Sequence, residues 1–128
     1  MSGILFLCIH NAGRSQMAAG FARQLSNGTI DIFSGGSEPA DQVNSIAIDV
    51  MNEEGIDISS FQPQKFTDDL LHAVDVVVTM GCGDTCPFIP GKTYIDWPLD
   101  DPKGKPIEDV RRIRDEIKSR VEQLLRQL

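Results

Sequence analysis

A cysteine, an arginine and a serine near the N-terminus have a spacing that could hold and attack an oxyanion. Their segment reads Cys8-Ile9-His10-Asn11-Ala12-Gly13-Arg14-Ser15. An arginine can grip two oxygens of a tetrahedral anion at once, which a lysine cannot. Asparagine and glycine tolerate the left-handed backbone angles that a tight loop needs. We therefore predict that residues 9–14 form an oxyanion-binding loop and that Cys8 is the nucleophile beside it.

The placement of this loop strengthens the prediction. Residues 4–9 are a continuous apolar run, typical of a strand that is covered on both faces, and residues 15–25 carry apolar side chains at helical spacing. Backbone N–H groups at the start of such a helix point at one spot, where the helix dipole adds partial positive charge. Because these surroundings favour the thiolate, we expect Cys8 to be ionised at neutral pH. The alternative, a buried apolar cysteine that ends a strand, would not call for the arginine.

A pair of carboxylates provides the candidate general acid. Asp100 and Asp101 stand directly before Pro102. Displacing an oxygen from a tetrahedral anion requires a proton on the leaving oxygen, and a carboxyl on a loop stiffened by proline can supply it. Asp-Asp-Pro is also a common solvated turn. His10 is expected to pack or hydrogen-bond in its loop, and not to act as the acid or as a metal ligand.

The remaining patterns predict the elements that position these residues. Strands are expected at 29–33, where Gly35-Gly36 should stop the strand, and at 75–80 and 92–97. Helices are expected around residues 46–51, around 70–71, and over a long C-terminal stretch with one apolar stripe from 107 to 124. Strands that alternate with helices imply a parallel sheet with helices on both faces. We predict a single-domain, doubly wound α/β fold over residues 1–128.

In such folds, sites form beyond the C-terminal ends of the strands. Loops at 8–14, 81–87 and 97–102 leave those ends, should meet at one edge, and contain all three cysteines: Cys8, Cys82 and Cys86. An odd number of cysteines fits a reducing compartment in which thiols serve chemistry or packing. Two loop cysteines without a second ligand pair make a poor zinc site, so no metal is predicted.

Composition narrows the range of functions. A hydrophobic content of 41% and a charged content of 24% are ordinary for a soluble globular protein. The apolar run near the N-terminus has no basic residue ahead of it, unlike a secretory signal, so we expect a cytoplasmic protein. A formal charge of −7 argues against nucleic acids and membranes as partners. Attraction of an oxyanion must therefore come from a local arrangement of groups.

Together with the Cys8–Arg14 loop, three further segments resemble the low-molecular-weight protein tyrosine phosphatase fold, and more closely the arsenate reductases built on it. The resemblance covers nearly the whole chain. The three segments are Ser34-Gly35-Gly36-Ser37-Glu38-Pro39, Gly55-Ile56-Asp57-Ile58-Ser59 and Val78-Thr79-Met80-Gly81-Cys82-Gly83-Asp84.

This resemblance implies a role for each matching residue. Cys8 would be the nucleophile, Asn11 would shape the loop, and Arg14 would bind the oxyanion. Ser15 would hydrogen-bond the thiolate. The acid of the family directly precedes a proline, which favours Asp101 over its neighbour.

The residues after the acid favour a reductase acting on arsenate, in arsenic detoxification, over a phosphatase. Phosphatases of this fold carry aromatic residues there to recognise phosphotyrosine, whereas this chain has Lys103-Gly104-Lys105. A tyrosine phosphatase is kept as a less favoured alternative. So is a cysteine phosphocarrier domain, although that role would require neither Arg14 nor the Asp-Pro acid.

Reduction of arsenate needs a second thiol besides Cys8, and the sequence does not identify it. Thioredoxin-coupled members of the family use two further cysteines as an internal relay, with a longer segment between them than the three residues between Cys82 and Cys86. The pattern looks more like reductases that pass arsenate to a low-molecular-weight thiol such as mycothiol, with a glutaredoxin-like protein completing the reduction. We favour this external thiol and expect no tightly bound cofactor, with the Cys82/Cys86 relay as the alternative.

Overall fold

A computed structural model describes residues 3–81 and 90–128 of the chain. Within these ranges four parallel strands form one sheet in the order β2-β1-β3-β4. The strands are β1 (Gly3–Cys8), β2 (Asp31–Gly36), β3 (Val76–Thr79) and β4 (Thr93–Asp96). The helices are α1 (Arg14–Ser26), α2 (Ser45–Asn52), α3 (Asp68–Ala73) and α4 (Ile107–Arg126).

Strand β1 is buried along its whole length because it lies inside the sheet and both of its faces are covered. Ile4 and Phe6 belong to the larger core beneath α1, α2 and α4. Leu5 and Leu7 alternate with them and pack with Leu71 of α3 in a smaller core on the other face. Helices on both faces confirm the predicted doubly wound α/β fold, and the unbroken apolar run of β1 follows from it.

The long helix α4 covers one face of the sheet through a single stripe. Its buried apolar residues recur every three or four positions, and they are Val110, Ile113, Ile117, Val121 and Leu124. The helix packs on α1 and α2. No helix in the described part of the chain is long and apolar enough to cross a membrane.

The prediction that Gly35-Gly36 stops the second strand was wrong. Strand β2 contains both glycines and pairs them in register with Leu7 and Cys8 of β1. A Cβ at Gly36 would lie 2.6 Å from the carbonyl oxygen of Ile9, and one at Gly35 would lie 3.2 Å from backbone atoms of Phe66. Both glycines therefore belong to the strand, whose last residue is Gly36, and they allow other backbone segments to approach it.

All four strands run in the same direction, so their C-terminal ends lie at one edge of the sheet. The loops that follow β1 and β4 meet there, as predicted. Of the loop after β3, only residues 80–81 and 90–92 are described. Cys82 and Cys86 lie outside the described residues, and their roles remain predictions.

Candidate active site

The Cys8–Arg14 loop is held from outside by the segment 37–44. Four loop carbonyls accept hydrogen bonds from backbone N–H groups of that segment. The pairs are Ser37 to Cys8 at 3.3 Å, Glu38 to Ile9 at 2.8 Å, Ala40 to His10 at 3.0 Å and Asn44 to Ala12 at 2.8 Å. Because the C=O and N–H of a trans peptide point in opposite directions, the N–H groups of these peptides turn inward. The loop therefore has the geometry of an anion-binding nest.

Two residues give the loop its shape, for different reasons. Asn11 is fully buried and takes the left-handed backbone conformation, with φ at 50°. Gly13 does not, since its φ is −130°. A Cβ at Gly13 would instead lie 2.7 Å from Cγ of Pro102. This glycine is thus needed because the loop after β4 packs directly on the Cys8 loop, and not for a left-handed backbone angle as the sequence suggested.

The sulfur of Cys8 is buried beneath this loop and surrounded by hydrogen-bonding groups. The residue is 2% exposed. Its Sγ accepts a hydrogen bond from the backbone N–H of Asn11 at 3.2 Å and lies 2.9 Å from Oγ of Ser15. The side chain of Asn11 donates in turn to Oγ of Ser15 at 2.7 Å. These contacts join Cys8 to Asn11 and Ser15, two of the residues that the resemblance placed beside it.

Arg14 is buried beside Cys8 with much of its hydrogen-bonding capacity unused. The residue is 5% exposed, and its Nη1 donates to the carbonyl of Leu99 at 3.1 Å. Its Nε has no partner in the described part of the chain. Leaving a buried donor unpaired costs about 1–3 kcal/mol, and more for a charged group. An oxyanion seated in the loop would supply the missing acceptor.

Gly81 is a residue of this site that the sequence analysis did not single out. Its φ is +85°, and a Cβ at this position would clash with Nη1 of Arg14. The glycine therefore leaves room for the guanidinium to extend across the end of β3. Its signal in the sequence was modest, namely a glycine directly after a predicted central strand.

Of the two neighbouring carboxylates, the structure brings Asp101 to the cysteine. A cavity of ≈ 210 Å³ is lined by Cys8, Arg14 and Asp101 together. The side chain of Asp101 is 44% exposed, and its Oδ2 lies 3.8 Å from Nη2 of Arg14. Its Oδ1 accepts a hydrogen bond from the backbone N–H of Lys103 at 3.0 Å, which fixes the carboxylate in a turn. Asp100 lines a separate surface cavity with Lys105 and charged residues of α4.

The remaining walls of the cavity are Pro102, small residues and polar side chains. His10 lies at this cavity, and its Nδ1 is 3.1 Å from the carbonyl oxygen of Glu38. Since a carbonyl can only accept, Nδ1 is the donor. Lys103 and three residues near the start of α2 complete the walls: Ala40, Gln42 and Asn44. Among the residues that the structure describes, no Phe, Tyr or Trp side chain lines the cavity.

A further pair of residues supports the loop from below and was missed by the sequence analysis. Gln16 is 1% exposed and its Nε2 donates to the backbone carbonyl of Asn11 at 3.1 Å. The backbone N–H of Gln64 donates to Oδ1 of Asn11 at 2.9 Å. The contact of Gln64 could not be read from spacing, because Gln64 comes from a distant part of the chain.

Comparison with known proteins finds arsenate reductases among the relatives of this chain. An arsenate reductase of Staphylococcus epidermidis is 42% identical over 123 residues, which cover 93% of this chain and 92% of the relative. The glutaredoxin arsenate reductase of Synechocystis is 38% identical, with 98% of this chain and 97% of the relative covered.

A solved structure, that of a thioredoxin-dependent arsenate reductase of Corynebacterium glutamicum, superposes with a TM-score of 0.88 at 38% identity. It covers 99% of this chain, which spans 61% of the length of that protein. Residues 3–128 match the family described as low molecular weight phosphotyrosine protein phosphatase. The resemblance inferred from the motifs is thus confirmed, and the chain belongs to the low molecular weight phosphotyrosine protein phosphatase family.

Proposed function

We propose that this chain is an arsenate reductase with Cys8 as its nucleophile. The observation that carries the proposal is the shared cavity, in which a buried arginine with an unpaired donor stands beside a cysteine and a carboxyl group. A tetrahedral oxyanion satisfies that arginine, faces the sulfur, and places a leaving oxygen towards Asp101. The relatives named arsenate reductases supply the identity of the oxyanion.

The first chemical step joins sulfur to arsenic. Loop N–H groups and Arg14 hold the arsenate oxygens, and the thiolate of Cys8 attacks arsenic. An As–S bond forms while one As–O bond breaks. The departing oxygen takes a proton from Asp101 and leaves as water. The hydrogen bonds from Asn11 and Ser15 to Sγ hold the nucleophile in place until the oxyanion is bound.

The second stage passes the arseno group to an external low-molecular-weight thiol, of which mycothiol is the favoured example. The thiol displaces Cys8 from arsenic. A further thiol then attacks the sulfur of the arseno-thiol, a disulfide forms, and the electron pair of the S–As bond moves to arsenic, which leaves as arsenite. A glutaredoxin-like protein fits this last exchange, and the similarity to a glutaredoxin arsenate reductase supports it. Such thiol exchange is suited to the reducing cytoplasm.

A second candidate for the reduction is an internal relay, which the similarity to a thioredoxin-dependent arsenate reductase favours. In that route Cys82 attacks Sγ of Cys8, a Cys8–Cys82 disulfide forms, and arsenite leaves with the electron pair of the S–As bond. Cys86 then attacks Cys82 and frees Cys8. Thioredoxin reduces the remaining disulfide.

The other candidate functions have less support. A phosphotyrosine ring is recognised best by aromatic side chains, whereas no Phe, Tyr or Trp among the described residues lines the cavity. A phosphocarrier domain would not require a buried arginine beside its cysteine or a carboxyl group at the same cavity. A pure binding module would not need the cysteine.

Arsenite release by the purified protein tests the proposal. Arsenate is supplied either with mycothiol and a glutaredoxin-like protein or with thioredoxin and its reductase. We expect turnover in at least one mixture and none from Cys8→Ser, because a serine hydroxyl does not ionise at neutral pH. Turnover by Cys8→Ser, or no turnover by the native chain in either mixture, would contradict the covalent mechanism.

A Cys82→Ser/Cys86→Ser double variant separates the two routes. With the external thiol, the variant should keep most of its activity, because Cys8 is then the only essential cysteine. With the relay, the variant should stall after one attack with arsenic held on Cys8, which mass spectrometry of the intact protein would detect. Full activity with thioredoxin alone, lost in the double variant, would favour the relay.

A further inference from the structure

Gln16 lies in a position that packing alone does not explain. It is 1% exposed in the first turn of α1, where an apolar side chain would fill the same space. Its Oε1 is buried and has no partner in the described part of the chain. Its Nε2 instead faces three acceptors: the backbone oxygen of Asn11 at 3.1 Å, Oδ1 of Asn11 at 3.3 Å and the backbone oxygen of Gln62 at 3.5 Å. These acceptors fix which way the amide of Gln16 points.

Between residues 8 and 12, the carbonyl of Asn11 is the one that the outer segment does not hold. Segment 37–44 binds the carbonyls of residues 8, 9, 10 and 12. Asn11 has its φ at 50°, which turns its own carbonyl another way. Gln16 binds this remaining carbonyl, since its Nε2 donates to both the backbone oxygen and the side-chain oxygen of Asn11. One amide group thus ties the backbone conformation of Asn11 to the orientation of its side chain.

That orientation decides the direction of the hydrogen bonds around Cys8. The backbone N–H of Gln64 can only donate, so the Asn11 atom that it contacts at 2.9 Å is the oxygen. The Asn11 atom that lies 2.7 Å from Oγ of Ser15 is therefore the NH2 group, a donor. With its oxygen accepting from Asn11, the hydroxyl of Ser15 turns its single hydrogen to Sγ of Cys8, 2.9 Å away. Sulfur is left as the acceptor of two hydrogen bonds, which favours the thiolate.

We propose that Gln16 is a positioning residue that holds Asn11 in this orientation and thereby keeps Cys8 in its nucleophilic, ionised form. This inference deepens the proposed arsenate chemistry and rests on it for its biological meaning. Its physical content, the reactivity of one sulfur, does not depend on the substrate.

Other groups also influence the charge on this sulfur. In the described part of the chain, the titratable side chains that share its cavity are those of His10 and Arg14 on the loop side, and Asp101 and Lys103 after β4. None of them is a hydrogen-bond partner of Gln16. A change at Gln16 therefore leaves these charges in place and acts through Asn11.

The test replaces Gln16 by methionine, which retains most of the volume and removes the N–H donors. Gln24→Met is the matched control, since Gln24 lies on the exposed side of the same helix. Each protein is alkylated with iodoacetamide from pH 5 to pH 9, and the modified Cys8 peptide is quantified by mass spectrometry. For Gln16→Met we expect the pH of half-maximal rate to rise by about one unit, which is about a tenfold loss of rate below that pH. Gln24→Met should match the native chain.

Arsenate turnover is measured on the same variants as a function of pH. For Gln16→Met, kcat/KM should fall near neutral pH and recover towards the native value at higher pH, where Cys8 ionises without help. An unchanged alkylation profile in folded Gln16→Met would overturn the proposal, whatever happens to its melting temperature. If the methionine variant does not fold, Gln16→Leu, which also lacks the N–H donors and adds no charge, is held to the same criteria. The alkylation result stands even for a chain that fails to reduce arsenate, so the two proposals fail separately.

Discussion

Two arginines in this molecule are almost equally buried and yet are bound in opposite ways. Arg14 at the loop is 5% exposed and Arg114 on α4 is 8% exposed. Arg114 donates to the backbone oxygen of Val50 at 3.0 Å, to Glu53 at 2.7 Å and to Asp115 at 2.9 Å. Among the described residues, Arg14 makes one hydrogen bond, to a backbone carbonyl, and the nearest carboxylate oxygen, that of Asp101, is 3.8 Å away.

The difference separates a structural cation from one that awaits a ligand. Arg114 joins α4 to the end of α2, and its guanidinium is satisfied by the protein itself. Hydrogen bonds from Arg111 and Arg114 lower the pKa of Glu53 to about 2. Burial lowers the pKa of Arg114, but its hydrogen bonds to Asp115 and Glu53 raise it overall. Arg14 has a buried donor that no described residue pairs, an arrangement that a folded protein rarely retains unless a ligand completes it.

The largest expected effect comes from exchanging each arginine for lysine. Arg14→Lys keeps the charge but loses the planar fork of N–H donors that would bind the oxyanion. Removing one such donor typically lowers the rate by about 10²- to 10³-fold. Because more than one donor is lost, kcat/KM for arsenate should fall by at least about 10⁴-fold. Arg114→Lys should lower the melting temperature and leave kcat/KM near the native value. Steady-state kinetics and thermal denaturation of both variants check this. A severe loss of activity in Arg114→Lys would remove the distinction between the two sites.

The next effect concerns the acid. Asp101→Asn should lower kcat by about 10²- to 10⁴-fold, because the leaving oxygen then departs without a proton. Asp100→Asn is the matched control, since its side chain lines a different cavity. Measuring kcat for both variants decides between neighbouring carboxylates. If Asp100→Asn is the damaging change, the assignment is wrong by one position.

A smaller effect is expected at the glycine that makes room for Arg14. Gly81 and Gly91 have similar backbone angles, with φ at +85° and +89°, but only Gly81 has Arg14 where a Cβ would be. Alanine should therefore strain the backbone about equally at both positions and lower both melting temperatures. Only Gly81→Ala should displace the guanidinium, with a loss in kcat/KM of about 10²-fold. Equal activity in the two variants would mean that Arg14 tolerates the displacement.

The smallest effect on activity, near zero, is expected from Glu53→Gln. Because the folded pKa of Glu53 is lowered to about 2 from its ordinary value of 4.5, its ion pairs stabilise the fold above about pH 4.5. This contribution disappears as the pH falls through about 2. The variant should therefore melt below the native chain at pH 7, and the gap should close as the pH is lowered from 4.5 to 2. Glu116→Gln, which removes one exposed pair within α4, serves as the control; a gap that does not depend on pH would contradict the assigned pKa.

Much of this protein follows from short-range patterns. Adjacent or regularly spaced residues were enough to predict the buried strand β1, the apolar stripe of α4 and the loop from Cys8 to Arg14. Hydrophobic periodicity and helix-end signals act over only a few positions of the sequence. The choice of Asp101 over Asp100 needed the resemblance to known reductases. Spacing alone left both carboxylates open, since both precede the same proline.

The rest was decided by segments that are distant in the sequence. Gly35 and Gly36 were mistaken for a strand end because the backbones that approach them, at Phe66 and Ile9, become neighbours only in the folded sheet. Gly81 matters because it leaves room for the guanidinium of Arg14, a residue that is distant in the sequence. Gln16 and Gln64 come from distant parts of the sequence and meet at Asn11, and only that meeting specifies which atoms donate towards Cys8. Local pattern thus identifies the reactive residues, whereas the hydrogen-bond directions that make them reactive arise from long-range packing, which spacing along one chain does not encode.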